Sequence, residues 1–290
     1  MNIVTAKTAG FCFGVQRAMD SVYELIEKGG DLYTYGPLIH NDAVVDDLSK
    51  KGVRVIESDE ELNEIKSGTV VIRAHGVPEK TIRLIEERGL TVVDNTCPFV
   101  KRIHKLVSEK SAEGYQIVVT GNAGHPEVIG IVGWAMPDRK TGRFLEPSVI
   151  ETAEEAAALK LDPSIPVFVV SQTTFRKNKF QELVEILEKR KYNVNVVDTV
   201  CNATKERQTE ARDIASKVDA MIVIGGRQSS NTQKLYEICK GECEHAYFIE
   251  SAQDLRMDIP KTASTVGITA GASTPKKFIE EVQNYVRINF

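Results

Sequence analysis

Short apolar runs alternate with amphipathic segments along most of the chain. Residues 116–120, 166–171 and 220–224 are rich in valine and isoleucine and have the length of buried strands. Residues 79–88 and 177–190 repeat apolar side chains every three or four positions, which predicts helices. Because alternating strands and helices form α/β units, we predict an α/β fold with mainly parallel sheets.

The same pattern continues through the remaining chain. Further strands are predicted at 69–73, 91–93, 194–197 and 265–269, and further helices at 126–135, 232–240 and 275–288. No stretch rich in glycine and serine, or in proline, separates these elements, so we expect them to pack tightly together.

Three cysteines occupy similar places in this pattern. Cys12 follows the residues TAGF, Cys97 follows VDNT and Cys201 follows VDTV, and a helical pattern begins after each of them. A cysteine between a strand and a helix lies at the helix N-terminus, where the amide dipoles favour a thiolate. The repeat therefore predicts three similar α/β units. They are residues 1–96, 97–197 and 198–290.

Polar loops recur where the predicted strands end. Each predicted unit carries two of them, with histidine, serine, threonine or asparagine among small residues. They are residues 36–41, 74–76, 121–127, 171–174, 225–231 and 270–274. Because ligands of parallel α/β sheets bind at the carboxyl ends of the strands, these loops and the cysteines predict one central cavity.

Composition narrows the possible functions. The 290 residues are 42% hydrophobic and 27% charged, with a net charge of −4. The sequence contains no run rich in lysine and arginine, which a nucleic-acid-binding protein would usually have. No apolar stretch approaches the length of a membrane span, and the first residues lack the pattern of a signal peptide. We therefore expect a cytoplasmic protein, without nucleic-acid or membrane partners, whose cysteines stay reduced.

The cysteine spacing favours an iron–sulfur cluster over zinc. Zinc usually takes four protein ligands, often in close pairs, and Cys12, Cys97 and Cys201 form no such pair. Iron–sulfur clusters accept widely spaced thiolates, and three cysteines leave one iron of a 4Fe–4S cluster open to substrate. Cys239 and Cys243 lie at the far end of a predicted helix, so we interpret them as structural.

Three histidines are candidate ligands of an anion. His40, His75 and His125 lie in loops at strand ends, where an imidazole can donate hydrogen bonds to phosphate oxygens. The patterns around His104 and His245 favour packing or surface positions instead. Neutral donors in the loops add to the histidines. They are Ser229, Ser230, Asn231 and Ser273.

Helix capping competes with ligand binding as the role of these polar residues. Asn231 and Ser273 each precede a predicted helix, so we expect them at N-cap positions, which also attract anions. Glu127 follows His125 and Pro126 at another helix start. It could act as a general acid, or simply as a first-turn acid that the helix dipole favours, and the residues alone favour neither role.

Several of these segments are uncommon motifs that occur together, and in this order, in one known family. They are AGFCFGV at Cys12, IRAHGV at His75, DNTCP at Cys97, HPEV at Glu127, SQTT at Thr173, SSNT at Asn231 and TAGASTP at Ser273. With these motifs the chain resembles the 4-hydroxy-3-methylbut-2-enyl diphosphate reductase family from about residue 1 to the C-terminus.

The resemblance implies a pseudo-threefold trefoil of three similar α/β units around a central 4Fe–4S cluster, one per chain. It implies the last step of the non-mevalonate isoprenoid pathway. In that step two electrons and protons remove the allylic hydroxyl of 4-hydroxy-3-methylbut-2-enyl diphosphate, giving isopentenyl and dimethylallyl diphosphates. An electron donor such as ferredoxin or flavodoxin is implied as a partner.

The resemblance also implies a role for each candidate residue. The cluster ligands are Cys12, Cys97 and Cys201. The substrate ligands are His40, His75, His125, Thr173, Ser229, Ser230, Asn231 and Ser273. Glu127 relays protons with the help of Thr173, which favours its catalytic interpretation.

Three other interpretations remain to be tested. A dehydratase similar to quinolinate synthase would bind dicarboxylates and favour arginine or lysine forks, for which the loops offer only Arg73 and Arg227. A cluster-based redox sensor would need an interaction module such as a helix-turn-helix, and no such pattern is apparent. A structural zinc protein would contain zinc without iron or sulfide.

Overall fold

The computed structural model describes residues 1–254, 259–260 and 262–289. The chain divides into two compact bodies. The first body is Met1–Arg17, Ile39–Lys50 and Asn202–Phe290, and the second body is Ala18–Leu38 and Lys51–Cys201. The predicted unit 198–290 includes the few residues that lie outside the described ranges.

Strands and helices alternate over the described residues. The strands are β1 (Asn2–Thr5), β2 (Leu32–Tyr35), β3 (Val53–Ile56), β4 (Thr69–Ile72), β5 (Thr91–Asp94), β6 (Gln116–Thr120), β7 (Ser148–Ile150), β8 (Val167–Ser171), β9 (Val194–Val196), β10 (Ala220–Ile224), β11 (Ala246–Ile249) and β12 (Thr265–Ala270). The helices are α1 (Phe13–Lys28), α2 (Asp42–Lys50), α3 (Asp59–Glu64), α4 (Glu79–Glu87), α5 (Pro98–Ala112), α6 (Pro126–Val132), α7 (Ala153–Ala158), α8 (Lys177–Lys189), α9 (Asn202–Ala215), α10 (Ser230–Glu242) and α11 (Lys276–Asn289). None of these helices is long and apolar enough to span a membrane.

The described part of the first body contains a four-stranded parallel sheet in the order β11-β10-β12-β1. Its strand β10 is buried on both faces. Ile222 and Ile224 pack in a core with α11, whereas Met221 and Val223 pack with α9 and α10. Because strand side chains alternate between the two faces, a continuous apolar run suits a strand that helices cover on both sides.

The described part of the second body contains two four-stranded parallel sheets, in the orders β3-β2-β4-β5 and β7-β6-β8-β9. The second of these repeats the packing of β10. Val167 and Val169 of β8 pack with α8, and Phe168 and Val170 pack with α5 and α6. The α/β fold with parallel sheets that the sequence predicts is therefore confirmed.

The three sheets share one topology, and a cysteine follows the same strand in each. The edge strands β5 and β9 lead to Cys97 and Cys201, and β1, at the same place beside β12, leads to Cys12. The prediction of three similar α/β repeats is thus confirmed at the level of the sheets. The trefoil arrangement and the boundaries at 1–96, 97–197 and 198–290 stay predictions.

One strand departs from those boundaries. β1 lies in the first predicted unit, yet its residues pair with Thr265 to Ile268 of β12 in the sheet of the third. The physical reason is that residues 198–290 supply only β10, β11 and β12 among the described strands, and β1 supplies the fourth strand of their sheet.

Candidate active site

Equivalent backbone hydrogen bonds hold the three predicted cluster cysteines. The amide of Cys97 donates to Ala74 O at 3.0 Å, that of Cys201 to Thr173 O at 3.0 Å, and that of Cys12 to Ala272 O at 3.3 Å. Each acceptor lies two residues beyond the neighbouring inner strand, which is β4, β8 or β12. A helix begins directly after each cysteine, as the sequence predicts. The backbone therefore places all three thiols equivalently in their sheets.

The other two cysteines have a different environment. None of the five, all of which are described, forms a disulfide, but Cys239 and Cys243 are buried whereas the predicted ligands are half-buried. The Cys239 thiol donates to Ala211 O at 4.0 Å and the Cys243 thiol to Val218 O at 3.7 Å. Burial, together with the neighbouring Cys243 thiol, raises the pKa of Cys239 to about 12. Both thiols therefore stay protonated, which suits the structural role predicted for them.

The donor set of Cys12, Cys97 and Cys201 suits an iron–sulfur cluster. Thiolates are the usual cluster ligands, and each of these thiols lies at a helix start, where the dipole stabilises negative charge. Cys97 is the N-cap residue of α5, followed by proline at the first helical position. Cys12 belongs to the first body and the other two cysteines to the second.

Glu127 and Thr173 form a buried pair in the second body. The Glu127 side chain is 2% exposed, and its carboxylate accepts from Thr173 N at 2.6 Å and Thr173 Oγ1 at 2.8 Å. Burial raises the pKa of Glu127 to about 7, although the hydrogen bonds from Thr173 oppose the rise. A carboxyl group with this pKa can release and take up protons near neutral pH.

His125 fixes the start of the helix that carries Glu127. Its Nδ1 accepts from Glu127 N at 3.1 Å, so His125 is the N-cap of α6. The rings of His75 and His125 lie 5.5 Å apart and nearly perpendicular. The structure therefore brings together the loops 74–76, 121–127 and 171–174, as the sequence predicts for strand ends.

The stacked rings of His104 and Trp134 pack against the loop that contains His75. Gly76 has φ +74°, and a Cβ at this position would lie 2.5 Å from His104 Cε1, so only glycine fits. The His104 ring stacks on Trp134 at 5.1 Å, and Trp134 Nε1 donates to Val77 O at 3.0 Å. Burial lowers the pKa of His104 to about 4, so this ring is neutral. The packing role predicted for His104 is confirmed, whereas Trp134 was not among the predicted site residues.

The loops of the first body meet at the backbone of His40. Ser273 Oγ donates to His40 O at 3.2 Å, and a Cβ on Gly226 would lie 2.4 Å from the same oxygen. Ser229 is the N-cap of α10, since its Oγ accepts from Thr232 N at 3.4 Å. The predicted N-cap positions of Asn231 and Ser273 are therefore wrong, because α10 begins at Ser230 and α11 only at Lys276.

Asn231 instead presents an amide group. It is 5% exposed, and its Nδ2 has no hydrogen-bond partner among the described residues. Ser230 lies beside it in the first turn of α10. Because a buried donor without an acceptor is costly, this amide is suited to an anionic ligand.

Comparisons with known proteins agree with the motifs. The family model described as LytB protein matches residues 3–287. A 4-hydroxy-3-methylbut-2-enyl diphosphate reductase of Caldanaerobacter subterraneus subsp. tengcongensis is 42% identical, over 97% of this chain and 95% of the relative. The enzyme of that name from Clostridioides difficile is 41% identical over 99% of both chains.

Solved structures of the same enzymes resemble the fold. One is (E)-4-hydroxy-3-methyl-but-2-enyl diphosphate reductase, the terminal enzyme of the non-mevalonate pathway. It is 38% identical, with a TM-score of 0.69 over 99% of this chain and 100% of that one. The E-1-hydroxy-2-methyl-but-2-enyl-4-diphosphate reductase of Plasmodium falciparum is 28% identical, with a TM-score of 0.88 over 99% of this chain and 87% of that one. Sequence motifs, family model and full-length relatives thus agree that the chain belongs to the LytB family of 4-hydroxy-3-methylbut-2-enyl diphosphate reductase enzymes.

Proposed function

We propose that the chain catalyses the reductive removal of the hydroxyl group of 4-hydroxy-3-methylbut-2-enyl diphosphate, giving isopentenyl and dimethylallyl diphosphates. The observation that carries this proposal is the buried Glu127–Thr173 pair, a proton donor with a pKa near 7 beside two polar loops. The names of the full-length relatives support the substrate. The reaction consumes two electrons and two protons and releases water, so it needs such a donor.

We assign one 4Fe–4S cluster per chain to Cys12, Cys97 and Cys201. Their equivalent places in three sheets and their half-buried thiols support this assignment. When bound, a cluster with one iron free of protein ligands would supply electrons and Lewis acidity for cleavage of the C–O bond. The electrons would come from a donor such as ferredoxin or flavodoxin, in the cytoplasm.

The diphosphate is assigned to hydrogen-bond donors of the polar loops. They are His40, His75, His125, Thr173, Ser229, Ser230, Asn231 and Ser273. The Asn231 amide supports this role most directly, because its Nδ2 has no protein acceptor among the described residues. Binding energy from the diphosphate, which is remote from the reacting carbon, would position the allylic group for reaction.

Glu127 is assigned the proton transfer. In its protonated form the carboxyl group gives a proton to the departing hydroxyl group, so that water leaves rather than hydroxide. Thr173 holds the carboxylate with its amide and its hydroxyl, and the hydroxyl can pass a proton between Glu127 and the substrate. Burial keeps the proton on Glu127 up to about pH 7.

Anaerobic purification with iron and sulfide analysis tests the cluster and the activity together. We expect iron and sulfide in the ratio of a 4Fe–4S cluster, and turnover of the hydroxylated allylic diphosphate with an artificial reductant. Cys12→Ser should lose the cluster absorbance, whereas Cys239→Ser should keep it. Zinc without iron or sulfide, or an intact cluster spectrum in Cys12→Ser, would contradict the proposal.

A further inference from the structure

A carboxylate holds the backbone just before each cysteine of the second body. Asp94 Oδ1 accepts from Thr96 N at 2.9 Å, immediately before Cys97. Asp198 Oδ1 accepts from Val200 N at 3.1 Å, immediately before Cys201. Both aspartates stand three residues before their cysteine and accept from the amide one residue before it. The aspartate of the residues VD therefore makes the same hydrogen bond in both motifs.

Each of these aspartates also contacts a lysine. Lys101 Nζ lies 2.7 Å from Asp94 Oδ2, and Lys177 pairs with Asp198 Oδ2. The lysine side chains are 46% and 44% exposed, so the ion pairs by themselves contribute little stability. Each lysine offsets the negative charge of the aspartate that it contacts.

The loop before Cys12 has the same kind of support from a different element. Ala9 stands three residues before Cys12, where the other two motifs have aspartate. Glu210 of α9 takes its place. Glu210 Oε1 accepts from Lys7 N at 2.8 Å, and Glu210 Oε2 accepts from Thr8 N at 2.9 Å and from Thr8 Oγ1 at 2.6 Å. Three hydrogen bonds from one loop thus converge on one remote carboxylate.

We propose that Asp94, Asp198 and Glu210 are positioning residues that hold the three cysteine loops in the geometry that cluster binding requires. The proposal rests on the cluster assignment made above. Two contacts hold each loop. A carboxylate accepts from backbone amides that precede the cysteine, and the amide of the cysteine itself donates to a carbonyl just beyond the neighbouring strand. Groups that orient metal ligands typically change metal affinity by about 10- to 100-fold when they are removed.

Alanine variants of the three acids test the proposal by cluster retention. Asp94→Ala, Asp198→Ala and Glu210→Ala remove the acceptors, whereas Asp94→Asn and Glu210→Gln keep an oxygen that can accept the loop amides. We expect anaerobically reconstituted alanine variants to lose cluster absorbance to an iron chelator about 10-fold faster than the parent protein. The amide variants should recover much of the difference.

A matched control distinguishes the positioning of a cysteine loop from the general effect of removing an aspartate that accepts a hydrogen bond within a turn. Asp138 Oδ1 accepts from Lys140 N at 2.8 Å with the same two-residue spacing, in an exposed turn that contains no cysteine. Asp138→Ala should leave the chelation rate unchanged. In the apo-protein of Asp94→Ala, the Thr96 amide should exchange its hydrogen faster than in the parent protein. The unfolding midpoint of Asp94→Ala should shift no more than the midpoint of Asp138→Ala.

The result that overturns the proposal is a parental chelation rate in Asp94→Ala and Glu210→Ala. A rate increase that merely follows a lower unfolding midpoint of the apo-protein would overturn it too, because it would indicate general destabilisation. Cys97→Ser distinguishes this failure from failure of the proposed function. If Cys97→Ser loses the cluster while the acid variants keep it, only the positioning role is wrong; if Cys97→Ser keeps the cluster, the ligand assignment is wrong.

Discussion

Two buried polar groups, the Glu127 carboxylate of the second body and the Asn231 amide of the first, differ in their hydrogen-bond partners. In the second body, the Glu127 carboxylate receives two hydrogen bonds from Thr173, and His125 caps the Glu127 amide. In the first body, the Asn231 amide nitrogen is buried without a partner among the described residues. The Glu127 carboxylate therefore has a protein donor for each of its oxygens, whereas the Asn231 amide nitrogen has no protein acceptor among the described residues.

This difference separates two chemical tasks. A proton donor must keep one geometry and one pKa, so its hydrogen bonds come from the protein and water is excluded. A group that binds a diphosphate must leave its donor capacity unused until the ligand arrives. The comparison therefore predicts that a change at Glu127 alters the chemical step, and that a change at Asn231 alters substrate affinity.

The largest expected effect is that of Glu127→Gln. Glutamine keeps the shape and an oxygen acceptor for the Thr173 amide but cannot transfer the proton, so kcat should fall at least ~100-fold with little change in KM. The parent protein should lose activity as pH rises through about 7, where Glu127 deprotonates. Steady-state kinetics at constant cluster content measures both the kcat of the variant and the pH dependence of the parent. Near-normal turnover in the variant would contradict the proton-transfer role of Glu127.

Asn231→Ala should act on binding instead. A hydrogen bond to a charged group contributes about 1.5–3 kcal/mol, so KM for the diphosphate substrate should rise roughly 10- to 100-fold with a much smaller change in kcat. Asn178→Ala, at an exposed position of α8, serves as the control. A loss confined to kcat would contradict the binding role of Asn231.

Stability should show opposing pH dependences from Glu127 and His104. Folding raises the pKa of Glu127 from 4.5 to about 7, so the folded protein retains a proton that the unfolded chain releases. Its contribution to stability is present below about pH 4.5 and is lost as pH rises towards 7. Folding lowers the pKa of His104 from 6.5 to about 4, so its contribution is present above about pH 6.5 and is lost as pH falls towards 4.

Single variants expose each contribution. In Glu127→Gln apo-protein, the free energy of unfolding should rise with pH relative to the parent, by at most about 1.4 kcal/mol per pH unit between about pH 5 and 6.5. In His104→Phe it should fall with pH relative to the parent over the same range. Urea unfolding checks both slopes, and variants with the parent's pH profile would refute the two shifted pKa values.

The smallest expected effect is that of Cys239→Ala. Its thiol is buried and protonated, so the variant should lose only about 1 kcal/mol of stability and keep its full iron content. Cys97→Ala should lose the cluster. Iron analysis of the two purified variants, made side by side, checks the contrast between the cysteine at a helix start and the one near a helix end.

Local patterns predicted much of the fold and of the candidate site. The apolar run 220–224 predicted a buried strand, because five consecutive apolar residues need cover on both faces, and β10 has that cover. The motif HPE predicted a helix start at Pro126, and α6 begins there. These features depend on neighbours in sequence, so they can be read without the tertiary structure.

Other features depend on residues far apart in sequence. Nothing near Asn231 in sequence reveals that its buried amide lacks an acceptor among the described residues. Glu210 is one of many helix acids in the sequence, and only the fold brings it to Thr8. Trp134 is the single tryptophan of the chain, but its contacts with His104 and Val77 are visible only in the structure.

The sequence by itself determined the alternation of strands and helices, the three equivalent cysteine positions and the family. Apolar periodicity and short motifs carry this information, and both act over a few residues. Only the tertiary structure decided that β1 completes the sheet of β12 and that the pair of Glu127 and Thr173 is buried, which raises the glutamate pKa. Strand pairing and desolvation arise from segments brought together in space, which no local pattern records.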